Sequence, residues 1–298
     1  MQLRVVVVWW VVCLLWSSSF VFIKLGLRDI PPFTFAWIRL AVALTVLAPL
    51  AIARKDWRSS SRRDVVNVCV TGVLLLGVNY ALVFWGAQFV PSGLVAILLA
   101  ATPVVALALG WFLGSERVNA PKVLALTLGI LGVTVIFGAE ARASGRAALL
   151  GSAAIFCASA CVAFAYVWLK THGQHLDRTS VTALQSLAGL VPLACLGLAV
   201  EGSPQFARWP ATAWVALLYL ALAASVLAFW GNYWLLERMD ASAMLMMGVA
   251  EVPIAVALGA VVFGERLPAG TLLGAICVLA GVTVGLRRAP DSRASGVM

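Results

Sequence analysis

Apolar runs of about twenty residues recur along this chain between short charged punctuations, and that spacing decides which solvent the fold must satisfy. A helix rises ~1.5 Å per residue, so about twenty residues cross the ~30 Å hydrocarbon layer of a bilayer. In that layer no water bonds the backbone, and a lone segment satisfies its own amides only as a helix. We read runs at 5–24, 33–53, 65–87, 92–113, 120–138, 147–170, 179–200, 211–236, 241–263 and 270–286. The composition agrees, with 63% hydrophobic and 11% charged residues and a mean hydropathy of +1.02; a soluble domain carries about 25% charged residues. Ten such spans absorb about 200 residues, which leaves short loops and no room for a soluble catalytic domain. Any chemistry happens inside the bundle. The expected fold is therefore an all-α integral membrane protein of ten transmembrane helices.

The net charge of +9 and pI of about 9.7 do not mark a nucleic-acid face, which needs Lys and Arg clustered on a folded surface. The basic residues lie between apolar runs, where lipid headgroups are their partners. Alternate loops divide them unevenly. Lys24, Arg28, Arg142, Arg146, Arg208 and Arg266 fall on one side, and fourteen others, among them Arg4, Arg54, Lys55, Arg58, Arg62 and Arg63, fall on the opposite side. Basic loops stay cytoplasmic, so both termini are expected in the cytoplasm and the protein in the cell (inner) membrane. The first run is longer than a signal-peptide core and lacks a small-x-small cleavage site, so it is read as a retained helix. All six cysteines fall within apolar runs and are read as free thiols that pack as small apolar groups. No cofactor and no metal is expected.

An internal repeat runs through the chain at an offset near 149 residues. Gly114 to Val118 matches Gly264 to Leu267, Gly132-Val133-Thr134-Val135 matches Gly281-Val282-Thr283-Val284, Pro103 matches Pro253, and Tyr80 to Trp85 overlies Phe229 to Trp234. Each copy holds five spans, an odd number, so the second enters the membrane from the opposite side. Inverted repeats recur among secondary transporters, where exchanging the conformations of the two halves opens a site to alternate sides. The expected division is 1–142 for the first five-helix repeat, 143–288 for the second, and 289–298 as a disordered C-terminal tail.

Trp16-Ser-Ser-Ser-Phe20 with Ile23-Lys24-Leu25, Ala36-Trp-Ile-Arg39-Leu40, Pro103, Gly114-Ser-Glu116-Arg117 and Gly129 to Gly132 together resemble the first half of an EamA-type transporter of the drug/metabolite transporter superfamily. Glu251-Val-Pro253, Gly264-Glu265-Arg266 and Gly274 to Gly281 resemble its second half. The resemblance spans nearly the whole chain and implies ten helices, two inverted repeats, and export or exchange of small metabolites by alternating access. One departure is Val252, which separates the acidic residue from a proline that directly adjoins it in many relatives.

Glu251, mid-span in the ninth run, is the strongest candidate, because a charged side chain at bilayer depth costs at least ~2.5 kcal/mol and is rarely left facing lipid. It is read as a proton- or amine-binding group, with a structural hydrogen-bonding carboxylate as the alternative. Pro103 and Pro253 each free a backbone carbonyl at mid-span, and paired interruptions point to a binding region; a kink that only shapes packing is the other reading. Arg39 either snorkels to the interface or faces a cavity, where it and Glu251 offer opposite charges to a zwitterion. Tyr80 and Phe84 share a helix face, and the repeat maps them onto Phe229 and Tyr233 as a symmetric aromatic wall. Asn79, Asn232, Trp16, Ser18 and Tyr166 add polar or aromatic groups at depth, for substrate or for interhelical hydrogen bonds. Glu116 and Glu265 sit just past helix ends and are read as caps or gate-locking ion pairs.

These features favour a secondary transporter of a small metabolite, an amino acid or similar amphipath, with membrane lipids as partners and protons if the flux is coupled. A membrane-embedded enzyme acting on a lipid or peptide would need paired catalytic groups at depth, and no intramembrane His or second mid-span carboxylate is apparent in the runs. No P-loop motif is present for ATP. An exporter of a cationic drug or nucleoside remains a second transport reading.

Overall fold

The computed structural model describes residues 3–54, 61–112, 120–143, 145–172, 178–236, 238–239 and 241–286. Among these residues the chain forms helices and turns and no strand, as a backbone in hydrocarbon requires. In chain order the helices are α1 (Leu3–Gly26), α2 (Pro32–Arg54), α3 (Arg62–Gly72), α4 (Asn79–Gly86), α5 (Ser92–Leu99), α6 (Thr102–Phe112), α7 (Ala120–Ala143), α8 (Gly145–His172), α9 (Arg178–Val200), α10 (Ala211–Leu218), α11 (Ala228–Leu236), α12 (Ala241–Phe263) and α13 (Ala269–Leu286). Two π-helical segments, Val73–Val78 and Tyr219–Leu227, join α3 to α4 and α10 to α11 without interrupting the rods. Eight helices are long and apolar enough to cross a membrane, and Met247–Phe263 and Ala269–Val284 are shorter apolar helices. The expected tail at 289–298 lies outside the described residues.

Local chemistry sets the boundaries. Ser61 opens α3 with a capping box, its Oγ accepting from the Asp64 amide at 3.1 Å while the Asp64 carboxylate accepts from the Ser61 amide at 3.3 Å. Pro91 and Pro210 stand just before α5 and α10, at the edge of a helix where a missing N–H costs nothing.

Close packing between helices is carried by small residues, since lipid tails supply no hydrophobic force between helices. The longest seam joins α7 to α13. There Gly132 and Gly274 face each other so closely that a Cβ on either would come within 2.6 Å of the other's carbonyl oxygen. Elsewhere α2 lies on α9, α4 on α8, α1 on α12, and α5 on α12. Phe35, Phe84, Leu94, Ile97, Leu98 and Leu217 fill the centre of the bundle. Glu140, beyond the end of its expected span, is fully buried on an extended α7 and accepts from Thr271 Oγ1 at 2.9 Å, so a second acidic residue is buried in the bundle.

A central cavity lined by Arg39 and Glu251

A cavity of about 310 Å³ lies at the centre of the bundle, walled by α1, α2, α4, α8, α11, α12, the two π segments and the junction between α5 and α6. Of the residues singled out in the sequence, Trp16, Arg39, Asn79, Tyr80 and Phe84 line it from one set of helices, and Tyr166, Phe229 and Glu251 complete the wall. Trp16 and Phe229 meet edge to face at 6.1 Å, and Tyr80 lies 5.8 Å from Phe84, so aromatic rings form much of the surface.

Arg39 is 6% exposed, which excludes snorkelling to the interface. Its Nε and Nη2 donate to Ser225 Oγ at 3.3 and 3.2 Å, and its guanidinium lies 4.9 Å from the centre of the Tyr80 ring and 6.0 Å from that of Phe84. Ring faces attract cations without neutralising them. Among the described residues Arg39 has no carboxylate partner, while Lys24 and Glu265 form an ion pair elsewhere. Glu251 shares the cavity wall and has no ion-pair partner there either. A guanidinium and a carboxyl group thus face one cavity without pairing with each other.

The π segments explain why polar groups gather there. In Val73–Val78 the Asn79 amide bonds Leu74 O, five residues back, which deprives Leu75 O of its usual donor; Asn79 Nδ2 supplies one at 2.9 Å. In Tyr219–Leu227 the Ala228 amide bonds Ala223 O, which deprives Ala224 O, and Trp16 Nε1 supplies the donor at 3.2 Å. Ser225 Oγ donates to Leu220 O at 2.9 Å, so its oxygen is left to accept from Arg39. Departures from α-helical bonding of this kind often occur at functional sites. Neither π segment carries a residue type that announces it in the sequence.

The proline expectation divides. The rod of α5 and α6 breaks at Ala100 and Ala101, and the carbonyl that Pro103 cannot serve, Leu99 O, accepts from Thr102 Oγ1 at 2.6 Å. Leu99, Ala100 and Thr102 line the cavity. Pro253 lies inside α12, which runs on through it, so the break is not matched in the second half. Neither proline lines the cavity. Ser18 does not line it either. Its Oγ bonds Leu14 O and Leu15 O and meets Tyr219 Oη at 2.6 Å, because one residue turns a helix by about 100°; Ser19 takes the cavity side. Asn232 is half-buried and away from the cavity, and the side chain of Tyr233 lies outside the described residues. Sequence reasoning missed Thr102 and Ser225, both small hydroxyls of the kind that most often bond their own helix.

One end of the bundle is tied shut. Glu265, in the link from α12 to α13, accepts from Lys24 Nζ at 2.6 Å, from the Ser92 amide at 2.9 Å and from Ser92 Oγ at 2.7 Å, and Lys24 also donates to Val90 O. Burial alone would raise the Glu265 carboxyl, but the bonds from Lys24 and Ser92 outweigh it and hold the group below the usual carboxylate range. A Cβ at Gly259 would come within 2.5 Å of both Glu265 Oε2 and Ser92 Oγ, so a glycine is what lets this knot close. Glu201 makes a second tie, accepting from the amides of Phe33 and Thr34 at the start of α2. Glu116 lies outside the described residues.

Fold and site together define a helical membrane protein with a central polar and aromatic cavity, the layout of a small-molecule transporter. The EamA-like transporter family matches residues 4–138 and again 149–286, and the chain belongs to that family. An uncharacterized transporter of Bacillus subtilis, YoaV, is 28% identical over 273 residues, covering 91% of this chain and 92% of its own. A probable amino-acid metabolite efflux pump of Salmonella typhimurium is 28% identical over 300 residues, covering 96% of each. A probable terminal-alkyne amino-acid exporter of Streptantibioticus cattleyicolor is 28% identical over 279 residues, covering 92% of this chain and 90% of its own. A solved crystal structure superposes with a TM-score of 0.64 at 19% identity, over 95% of this chain and 96% of that one, a likeness of fold.

Proposed function

We propose that this protein is a secondary transporter that exports or exchanges an amphipathic amino acid by alternating access. The observation that carries the reading is the pair Arg39 and Glu251, a guanidinium and an ionisable carboxyl in the wall of one aromatic cavity and without ion-pair partners. An uncompensated Arg at membrane depth costs ~2.5–3.5 kcal/mol or more, and a ligand carboxylate that bonds it offsets that cost. Glu251 does the same for an ammonium group. A purely cationic drug would meet the Arg39 charge unopposed, and this favours the zwitterion. The printed names of two relatives, an amino-acid metabolite efflux pump and an amino-acid exporter, point the same way.

Ten spans in two inverted repeats, 1–142 and 143–288, account for the packing. Offset by 149, the π segment Val73–Val78 falls on 222–227, within Tyr219–Leu227. Contacts between the halves come in matched pairs: α4 on α8 with α11 on α1, α6 on α8 with α12 on α1, and α3 on α9 with α10 on α2. Two matches within the halves are missing: α5 packs on α1 and α4 on α2, whereas their counterparts, α12 with α8 and α11 with α9, have no comparable packing among the described residues. That asymmetry, with the Glu265 knot on the α1 and α5 side, supports a state closed at one end. With both termini cytoplasmic in the inner membrane, as the basic loops favour, the closed end is the external one. Any coupling to protons would run through Glu251.

Counterflow tests the reading. Proteoliposomes preloaded with unlabelled L-phenylalanine should accumulate external labelled phenylalanine transiently above its equilibrium level, as only a carrier with a saturable site can. Failure to exceed protein-free vesicles, across a panel of apolar amino acids, would overturn it.

A further inference from the structure

Asn79 carries one feature that a helix-packing role does not use. It is 8% exposed, lines the cavity, and its Oδ1 has no hydrogen-bond partner. A buried amide oxygen left unbonded is costly and ordinarily avoided. The usual ambiguity between amide oxygen and nitrogen is removed by the π segment, because Leu75 O needs a donor and only the NH2 end can supply it. Nδ2 is therefore committed to the backbone. Oδ1 is left as a fixed acceptor that can give nothing and only receive an N–H or O–H.

We infer that Asn79 Oδ1 receives an N–H from the cationic end of the substrate, so that the cavity selects a protonated amine over a quaternary ammonium of the same charge. The inference rests on the transporter reading above and deepens it. Glu251 answers the charge of the cationic end, which a quaternary group also carries, while Asn79 answers the N–H, which a quaternary group lacks. A site built to hydrogen-bond an N–H rejects the analogue lacking it, because its own buried acceptor is then left unpaired. The two contributions are therefore separable with two ligands, L-phenylalanine and its N,N,N-trimethyl betaine.

Competition against labelled phenylalanine in the counterflow assay reads the outcome. Wild type should prefer phenylalanine over the betaine by ~tenfold or more. Asn79→Leu should lose that preference through weaker binding of phenylalanine, with betaine binding unchanged. Asn79→Asp keeps an acceptor and should keep the preference, although it too gives up the donor to Leu75 O. Wild type that takes both ligands equally overturns the inference without any variant. So does an Asn79→Leu variant that weakens both ligands in parallel or keeps the wild-type ratio, the signs of a packing role or of steric exclusion. Absence of phenylalanine exchange in wild type overturns the transporter reading, a result distinct from exchange that ignores N-methylation.

Discussion

The two π segments share a backbone pattern at their C-terminal ends and differ in chemistry. Each strips one carbonyl of its donor, Leu75 O in the first and Ala224 O in the second, 149 residues apart. The first is repaired from within, by Asn79 on the next turn; the second is repaired from outside, by Trp16 on α1, while Ser225 in the same segment turns its oxygen to Arg39. One π segment thus leaves an unpaired acceptor on a residue that lines the cavity, and the other steadies a cation in the wall. Similar backbone geometry in the two segments carries different side chains.

Glu251→Gln should break this division most completely. The variant keeps its size and much of its hydrogen bonding but cannot ionise, and transport should fall by ~tenfold or more, with expression and membrane insertion preserved. Flux at the parental rate would reduce Glu251 to a structural group. Ser225→Ala comes next: Arg39 loses its one hydrogen-bond acceptor among the described residues, and apparent substrate affinity should fall ~three- to tenfold while the maximal rate holds. A drop in melting temperature with unchanged affinity would make Ser225 a cap for Leu220 O and nothing more.

The tied end should show its own pH dependence. The Glu265 carboxyl is held below its ordinary value of 4.5 by Lys24 and Ser92, so its stabilisation is fully present above that value and is lost as pH falls through the lower folded-state pKa. Melting temperature in detergent should therefore decline on acidification below about pH 4.5, and Glu265→Gln should flatten this component of the decline. A decline unaltered by the substitution would move it to other carboxylates. Trp16→Phe should have the smallest effect, removing one neutral hydrogen bond to Ala224 O at about 1 kcal/mol while keeping the ring against Phe229. A stability loss well beyond that would mean the second π segment depends on Trp16 for its formation.

Helix positions were legible in the sequence because about twenty apolar residues are the direct consequence of bilayer thickness, and the observed bounds follow the runs to within a few residues, α7 extending furthest past its expected end to take in Glu140. Much of the cavity was legible for a related reason: Arg39, Asn79 and Glu251 are expensive at depth, and cost singles them out. Phase within a helix was not. Ser18 and Ser19 are alike in composition and differ only by a rotation that depends on neighbours distant in sequence. The π turns were invisible because they arise from tertiary fit; Asn79 and Ser225 acquire their roles only once the backbone bond five residues back is known. Pro103 and Pro253 look equivalent in the repeat, yet only the first, with Thr102 beside it to repair Leu99 O, adjoins a broken helix.

The proposed transport activity requires one cavity to read both ends of a zwitterion. Competition for labelled phenylalanine by phenylalanine itself, by the anion 3-phenylpropionate and by the cation 2-phenylethylamine measures this directly. Wild type should prefer the zwitterion over either singly charged analogue by ~tenfold or more, with Glu251→Gln erasing the preference over the anion and Arg39→Gln the preference over the cation. Equal competition by all three ligands in wild type, or loss of both preferences together in either variant, would contradict it.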